Sequence, residues 1–390
     1  MNGNNLDQVR RGNLSTVLGL VHTNGAPSRA WLTRETGLNR STIAALVAEL
    51  VQLGLVVEAG WDQTNQVGRP SPIIRASGKR IAIAVRPELD AIDIGLVALD
   101  GTVIRRVHRE TERAPTAREA VDIAAAEISE LLGDLDASYR PVAIGLVVPG
   151  LVRESDGLVS IAPHLGWSDE PVAVMLQEAT GLDVYSANDA NAGAIAESTF
   201  GAGRGVSELI YLNGGASGIG GGIVIGGDLL RGANGFAGEL GHTLVNSAGI
   251  ACHCGSSGCL ETEVSRQQLL EALGLSIGDA ERLDDVLLAA FAPGATVPSA
   301  LAELVERQLG FLAIALGNAT NLFNPRMIVL GGFLGSLYGA APGVLDEAIR
   351  HHAMAATRDG LVIQRAALGS NILMIGAAEL AFADLLGNPA

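Results

Sequence analysis

The chain of 390 residues contains three cysteines, and all of them, Cys252, Cys254 and Cys259, fall within the segment CHCGSSGC. Random placement would scatter them, so one site collects them. Thiols clustered in this way in a cytosolic protein usually bind metal. Three thiolates and one imidazole complete a tetrahedral structural zinc (Zn2+) site, with His242 and His253 as candidate fourth ligands. His242 is the better choice, because His253 sits between two cysteine ligands and would be strained. An iron–sulfur cluster, or a reduced cluster without metal, is the alternative from these residues alone.

Carboxylates surround this cluster. RGANGFAGELGH sets Glu239 three residues before His242, on one face if the segment is helical, and Glu261 follows the last cysteine closely. Carboxylates held around a metal-rigidified loop suit hydrogen bonding to sugar hydroxyls, which need fixed polar acceptors in a pocket. Glu239 as a mere turn cap is the plainer reading. In VYSANDANAGA, Asn188 and Asp189 follow a strand and precede a helix of small residues. An aspartate at such a strand end can act as general base on a hydroxyl, or simply cap the helix. Two glycine-rich turns, GGASGIGGGIV at 214–224 and VLGGFLG at 329–335, expose amides that could cradle phosphate, although close backbone packing explains them as well.

These residues need a large scaffold. The length implies roughly two to three domains. With 48% hydrophobic and 17% charged residues, and 50 glycines, the composition is that of well-packed globular cores and argues against wholesale disorder. Apolar runs such as IAIAV and AIGLVV fall short of the roughly 20 residues that span a bilayer, and the polar start MNGNNLDQVRRGN lacks a signal-peptide pattern, so no membrane helix and a cytoplasmic location are expected.

The net charge of −16 divides unevenly: residues 1–80 carry +4 and the remainder −20. A small basic head therefore precedes a large acidic body, and only the head suits nucleic acid. The segment 14–21 has helical apolar spacing, 26–37 reads as a capped short helix ending at a glycine, and a third helix over about 40–53 aligns Ile43, Leu46, Leu50 and Leu53. Two helices joined by a short glycine-containing turn make a helix-turn-helix. LVVEAG, a polar turn and SPIIRA then form a two-stranded wing with Arg69 at its tip. Arg40, Ser41 and Thr42 open the third helix, where they can reach phosphates and base edges, while Arg69 can enter the minor groove. From Ile81 onward, strands and helices alternate as in a mixed α/β sheet, with a second set starting near 209.

The combination resembles the ROK family, the repressors, open reading frames and sugar kinases with an actin-like two-lobed α/β fold. The likeness rests on VVPG at 147–150, PHLGW at 163–167, NDAN at 188–191, GIGGGI at 218–223, RGANGFAGELGH at 231–242, CHCGSSGCLE at 252–261 and NLFNPRMIVLGG at 321–332. The winged helix-turn-helix in front resembles the family's transcriptional regulators, whereas its free-standing kinases lack it. The expected organisation is a DNA-binding head over 1–76, a first lobe over 80–198 completed by a C-terminal helix over 375–387, and a second lobe with the zinc site over 199–374. The resemblance implies that Asn188, Asp189, Glu239, His242 and Glu261 contact a sugar. It implies equally that His242, Cys252, Cys254 and Cys259 hold zinc, and that Asp189 matches the kinases' catalytic base.

One departure bears on activity. Where family kinases carry a D-x-G-G-T type phosphate turn, this chain reads IAIAVRPELDAIDIGLVALDG, which puts Arg86 at the aspartate and Glu88 and Leu89 at the glycines. A turn without glycine that bears Glu88 and Asp90 opposes a triphosphate by sterics and charge. Ala216-Ser217-Gly218 stands where kinases have Gly-Thr-Gly, and His164 stands where the family often has Asn. The sequence therefore predicts a sugar-responsive regulator rather than an enzyme. Sugar would close the cleft between lobes and shift the heads of a homodimer or homotetramer on a palindromic double-stranded operator. An ATP-dependent sugar kinase with an accessory head, and a sugar-binding scaffold whose head pairs with protein, are the competing readings.

Overall fold

The computed structural model describes residues 3–62 and 70–390. Arg69, the wing-tip arginine, lies outside the described residues. The chain divides into two compact units, residues 1–187 with 373–390, and residues 188–372.

The first unit opens with α1 (Gly3–Asn24), α2 (Arg29–Thr36) and α3 (Arg40–Gln52). α1 is longer than the apolar periodicity alone indicates and buries Leu14, Val17, Leu18 and Val21 completely. Ser28 caps α2, which stops at Gly37 in the left-handed region (φ 69°) that glycine adopts without strain. Asn39 caps α3, whose Ile43, Leu46, Val47 and Leu50 are buried, while Leu53 is half-buried just past the helix. The wing consists of β1 (Val56–Asp62) antiparallel to β2 (Ser71–Ala76).

A five-stranded sheet follows. β3 (Arg80–Pro87), β4 (Ala91–Ala98) and β5 (Val103–Glu110) form a meander, and α4 (Ala117–Gly133) leads to β6 (Arg140–Val148) parallel to β3. α4 starts at a capping box between Thr116 and Glu119, which satisfies two otherwise orphaned amides. A small sheet of β7 (Leu151–Arg153), β8 (Leu158–Ala162) and β9 (Trp167–Glu170) precedes α5 (Val172–Thr180) and β10 (Val184–Asn188), giving the main sheet the order β10-β6-β3-β4-β5.

The second unit starts with α6 (Asp189–Thr199), then β11 (Leu209–Gly214), β12 (Ile219–Ile225) and β13 (Asp228–Leu229). Its boundary precedes the one read from sequence at 199, because α6 packs on β12 rather than on the first sheet. After α7 (Leu260–Glu263), α8 (Arg266–Ala272), α9 (Leu283–Ala290) and α10 (Ser299–Phe323), β14 (Met327–Gly331) joins β11 in parallel. Helices α11 (Gly332–Ala340), α12 (Pro342–His352) and α13 (Ala355–Arg358) lead to the edge strand β15 (Val362–Arg365), completing the order β13-β12-β11-β14-β15.

The last helix, α14 (Ile372–Gly387), returns the chain to the first unit. The stretch Gly369–Gly387, with mean hydropathy 1.3, is long and apolar enough to cross a membrane, which corrects the expectation that no segment reaches that length. Packing accounts for its composition: Met374, Ile375, Ala377, Ala378 and Phe382 are buried, and a Cβ on Gly145 of β6 would stand 1.7 Å from the Ala377 carbonyl oxygen. A core helix laid so closely on a sheet is apolar on most of its circumference.

Candidate functional site

Glycines build the site. β11 and β12 form a hairpin whose turn closes with the Gly215 amide donating to the Gly218 carbonyl at 2.8 Å. A Cβ on Gly220 or Gly222 would lie 2.7 Å from Ala190 Cβ or 2.5 Å from Ala194 Cβ, so α6 rests directly on one face of β12. On the other face, a Cβ on Gly221 would meet the Gly238 carbonyl oxygen at 2.6 Å. Side chains alternate across a strand, so these three glycines admit two elements from opposite sides. One delivers Asp189 and the other Glu239 and His242. Gly218 (φ 134°) brings the turn against Glu261, whose Oε2 would be 2.5 Å from a Cβ there. Close packing, not an exposed phosphate cradle, thus explains this glycine run.

Asn188, not Asp189, caps α6: its side-chain oxygen accepts from the amides of Ala190 and Asn191 at 2.8 and 3.3 Å. Asp189 occupies the first helical position and accepts from the Ala190 amide at 2.9 Å. Glu239 opens a short 3-10 turn over Leu240–His242 without a side-chain capping bond, so the cap reading fails for it. Burial pushes its carboxyl above the ordinary range; His242 opposes this, and the nearby charges of Asp189 and Glu261 add to it. Three carboxylates and an imidazole within electrostatic reach form an acceptor-rich constellation suited to hydroxyl donors.

His242 and the three cysteines converge, with their ligand atoms all within 4.8 Å of one another. His242 Nδ1 lies 3.6 Å from Cys252 Sγ, and Cys254 Sγ lies 3.7 Å from Cys259 Sγ. The sulfur–sulfur spacing matches the edge of a tetrahedron with two zinc–sulfur arms, roughly 3.8 Å, and the shorter zinc–nitrogen arm accounts for the His242 spacing. The donor set therefore fits a structural metal ion. Since Nδ1 faces the cysteines, Nε2 is the nitrogen of His242 left for a second partner. Burial pushes the Cys252 thiol up to about 12, and Glu261, 3.0 Å away, adds to this. His253, whose Nδ1 is 3.2 Å from Glu261, forms with His242 and Glu261 an alternative grouping. Buried Glu263 anchors the loop before the cysteines, accepting from the Ile250 amide at 2.7 Å and the Asn246 amide group at 3.1 Å.

In the first unit, the turn that departs from the kinase pattern carries a cluster that sequence reading missed. Asp93, fully buried on β4, accepts from Arg86 at 2.6 Å, Arg106 at 2.8 Å and His108 Nδ1 at 2.7 Å, and Arg86 also pairs with Glu88. Burial alone would raise the Asp93 carboxyl, but hydrogen bonds from His108, Arg86 and Arg106 hold it at about 2. The signal was present: an acid inside the apolar run AIDIGLVAL demands partners. His164 is exposed in a 3-10 turn over Pro163–Leu165.

In the head, Arg40 and Ser41 are exposed at the start of α3 and Thr42 is half-buried. Ser41 donates to the Asn39 side chain at 2.6 Å, and the Thr42 amide donates to the same oxygen at 2.8 Å. Two other head arginines are engaged in ion pairs, Arg10 with Glu49 and Arg29 with Glu58.

Residues 84–384 match the ROK family. The chain belongs to the ROK family. The xylose repressor of Caldicellulosiruptor bescii is 30% identical over 400 residues, 98% of each chain. A crystal structure of a ROK family transcriptional regulator, a homologue of the E. coli MLC protein, superposes with a TM-score of 0.77 at 26% identity, covering 97% of both chains. The ROK glucokinase of Streptomyces griseus, solved with glucose and AMPPNP, gives a TM-score of 0.64 at 27% identity and covers 99% of its own length but 78% of this chain. These regulators thus match the ROK chain end to end, and this kinase matches it only in part. The protein is a ROK family transcriptional regulator, with N-terminal helices ahead of two mixed-sheet lobes.

Proposed function

We propose that this ROK protein is a repressor of carbohydrate-use genes whose operator affinity is set by a bound monosaccharide. The convergence of Asp189, Glu239, His242 and Glu261 at one glycine hairpin, with Asn188 next to Asp189, in a chain that also carries a basic winged head, supports this reading most directly. Asn188, Asp189, Glu239 and Glu261 accept hydrogen bonds from sugar hydroxyls, and His242, with Nδ1 on the metal, donates its Nε2–H to a sugar oxygen. Zinc held by His242, Cys252, Cys254 and Cys259 fixes the start of α7, which carries Glu261, and orients the His242 ring toward the sugar. Arg40, Ser41 and Thr42 read the operator in the major groove, with Arg69 of the wing in the minor groove. The protein works in the cytoplasm as a homodimer or homotetramer on a palindromic site, and sugar acts by binding the DNA-competent and DNA-released arrangements unequally.

The Arg86, Asp93, Arg106 and His108 cluster supports the absence of kinase activity. Its two guanidinium groups are already committed to an internal carboxylate, and Glu88 adds a charge that repels phosphate. A kinase reading draws on the retained Asp189 and on a cleft of about 380 Å3 lined by Asn213, Gly214, Gly331 and Gly332, but Arg365 and Asp284 of the same cleft are paired at 2.6 Å. Calorimetric titration of the zinc-replete protein with a monosaccharide panel, repeated with an ATP analogue, tests both. Sugar binding without nucleotide binding is expected. Tight binding of both would favour the kinase, and binding of neither would remove the sugar reading.

A further inference from the structure

α14 touches the DNA-binding head at two points. Glu379 faces His22 Nε2 of α1 with its carboxylate oxygens at 2.9 and 3.1 Å, and Ser15 of α1 donates to the Leu386 carbonyl at 2.7 Å. Glu379 and Leu386 are seven residues apart and so share one helix face. A different face meets the sheet: Asp384, five residues from Glu379, accepts from Tyr185 of β10 at 2.6 Å. β10 ends in Asn188, and Asp189 follows. Just before these contacts the helix has little freedom, because Ala377 lies against Gly145 and Met374 Sδ would stand 2.8 Å from a Cβ on Gly95 of β4.

The His22 contact is unusually committed. Leu99 offers only a carbonyl, 2.6 Å from Nδ1, so Nδ1 carries a proton, and a second proton lies between Nε2 and the Glu379 carboxylate. Both residues are buried, and a buried pair of this kind is strongly disfavoured once one partner is removed. α1 also belongs to the head core, with Leu14, Val17 and Leu18 fully buried and Arg10 paired to Glu49 of α3.

We propose that α14 is the strut through which occupancy at Asn188 and Asp189 is transmitted to the DNA-binding head, with Tyr185–Asp384 as its input contact and Glu379–His22 as its output. The inference rests on the reading of Asn188 and Asp189 as sugar contacts. A shift of β10 moves Tyr185, α14 follows as a packed rigid body, and α1 carries the change to α3.

Native protein and the variants Tyr185→Phe, Glu379→Gln and His22→Gln test it. Sugar binding is measured by calorimetry with D-xylose, D-glucose and N-acetylglucosamine. DNA binding is measured by fluorescence anisotropy on a duplex that the native protein selects from a randomised library, with and without each sugar. Tyr185→Phe removes one hydroxyl from an exposed pair and leaves the core intact, so it remains informative if the buried variants misfold. In the native protein the sugar is expected to change DNA affinity by about 5- to 150-fold. In Tyr185→Phe, sugar affinity and sugar-free DNA affinity should stay native while that change shrinks toward unity. A responsive native protein whose variants respond equally overturns the inference alone. A native protein that binds DNA but ignores every sugar overturns the sugar reading, and the inference with it.

Discussion

Gly241 and Ile219 are so close that a Cβ on Gly241 would stand 1.9 Å from the Ile219 carbonyl oxygen. A second close approach on the same loop supports it, since a Cβ on Gly238 would stand 2.7 Å from the Gly221 carbonyl oxygen. This contact holds Glu239 and His242 at the hairpin. Gly241→Ala is therefore expected to destabilise the protein by about 1–3 kcal/mol or more, as overpacking does. It should also weaken sugar binding more than a substitution at exposed Ile225 of β12. Urea unfolding and calorimetry check both, and native behaviour in each would show that the loop is not pinned there.

Metal loading should release protons. In the metal-free protein burial keeps the Cys252 thiol up at about 12 and pushes the Cys259 thiol up too, whereas coordination requires thiolates. Roughly two to three protons per zinc are expected at neutral pH. Calorimetric titration of zinc in buffers of different ionisation enthalpy measures this number. Cys254→Ser should reduce bound zinc and lower the melting temperature, and undiminished stoichiometric zinc in that variant would move the site elsewhere.

Arg40→Ala should weaken binding to DNA of any sequence and reduce the salt slope by about 1, if the exposed guanidinium neutralises one phosphate. Sugar binding should be unaffected. An unchanged salt dependence would show that α3 does not present its first turn to the duplex.

Alkaline pH should loosen the head from α14. Burial alone would lower the His22 pKa, but the charge and hydrogen bond of Glu379, the Leu99 carbonyl and the charge of Asp100 together raise it above the ordinary 6.5. A group raised on folding contributes stability that is fully present below the unfolded value and is lost as pH rises through the folded value. The contribution should hold below about pH 6.5 and fade above the raised value. Protection of the α1 amides against hydrogen exchange, taken relative to the intrinsic rate at each pH, should fall across that range in native protein and not in His22→Gln.

Gly145→Ala should destabilise the first unit strongly, because the added methyl group meets the backbone of α14 and no side chain can yield. A loss of at least about 1–3 kcal/mol is expected in urea unfolding. A neutral effect would contradict the close approach of helix and sheet.

Much of this was legible in the residues. The head was readable because each of its helices carries its own punctuation: Ser28 and Asn39 cap, Gly37 terminates, and Ile43, Leu46 and Leu50 repeat at helical spacing. The cysteine cluster was readable because all three thiols lie within one turn of chain. Less local features were not. Asp93 and Glu379 stand in apolar runs, and sequence indicates that such acids need partners without naming Arg86, Arg106 and His108 for one or His22, 357 residues away, for the other. The hydropathy of α14 reads alike for a core helix and a membrane span, and only its packing on Gly95 and Gly145 distinguishes the two.

The sequence by itself determined the elements, the basic head, the metal-binding residue types and the family. These depend on short-range caps, periodicity and composition, which act within a few residues of chain. Tertiary structure alone decided that glycines 220–222 and 241 serve close packing and that His242 turns Nδ1 to the cysteines. Each of those outcomes depends on which surfaces meet across long separations, where a methyl group's width or a second ring nitrogen settles the geometry.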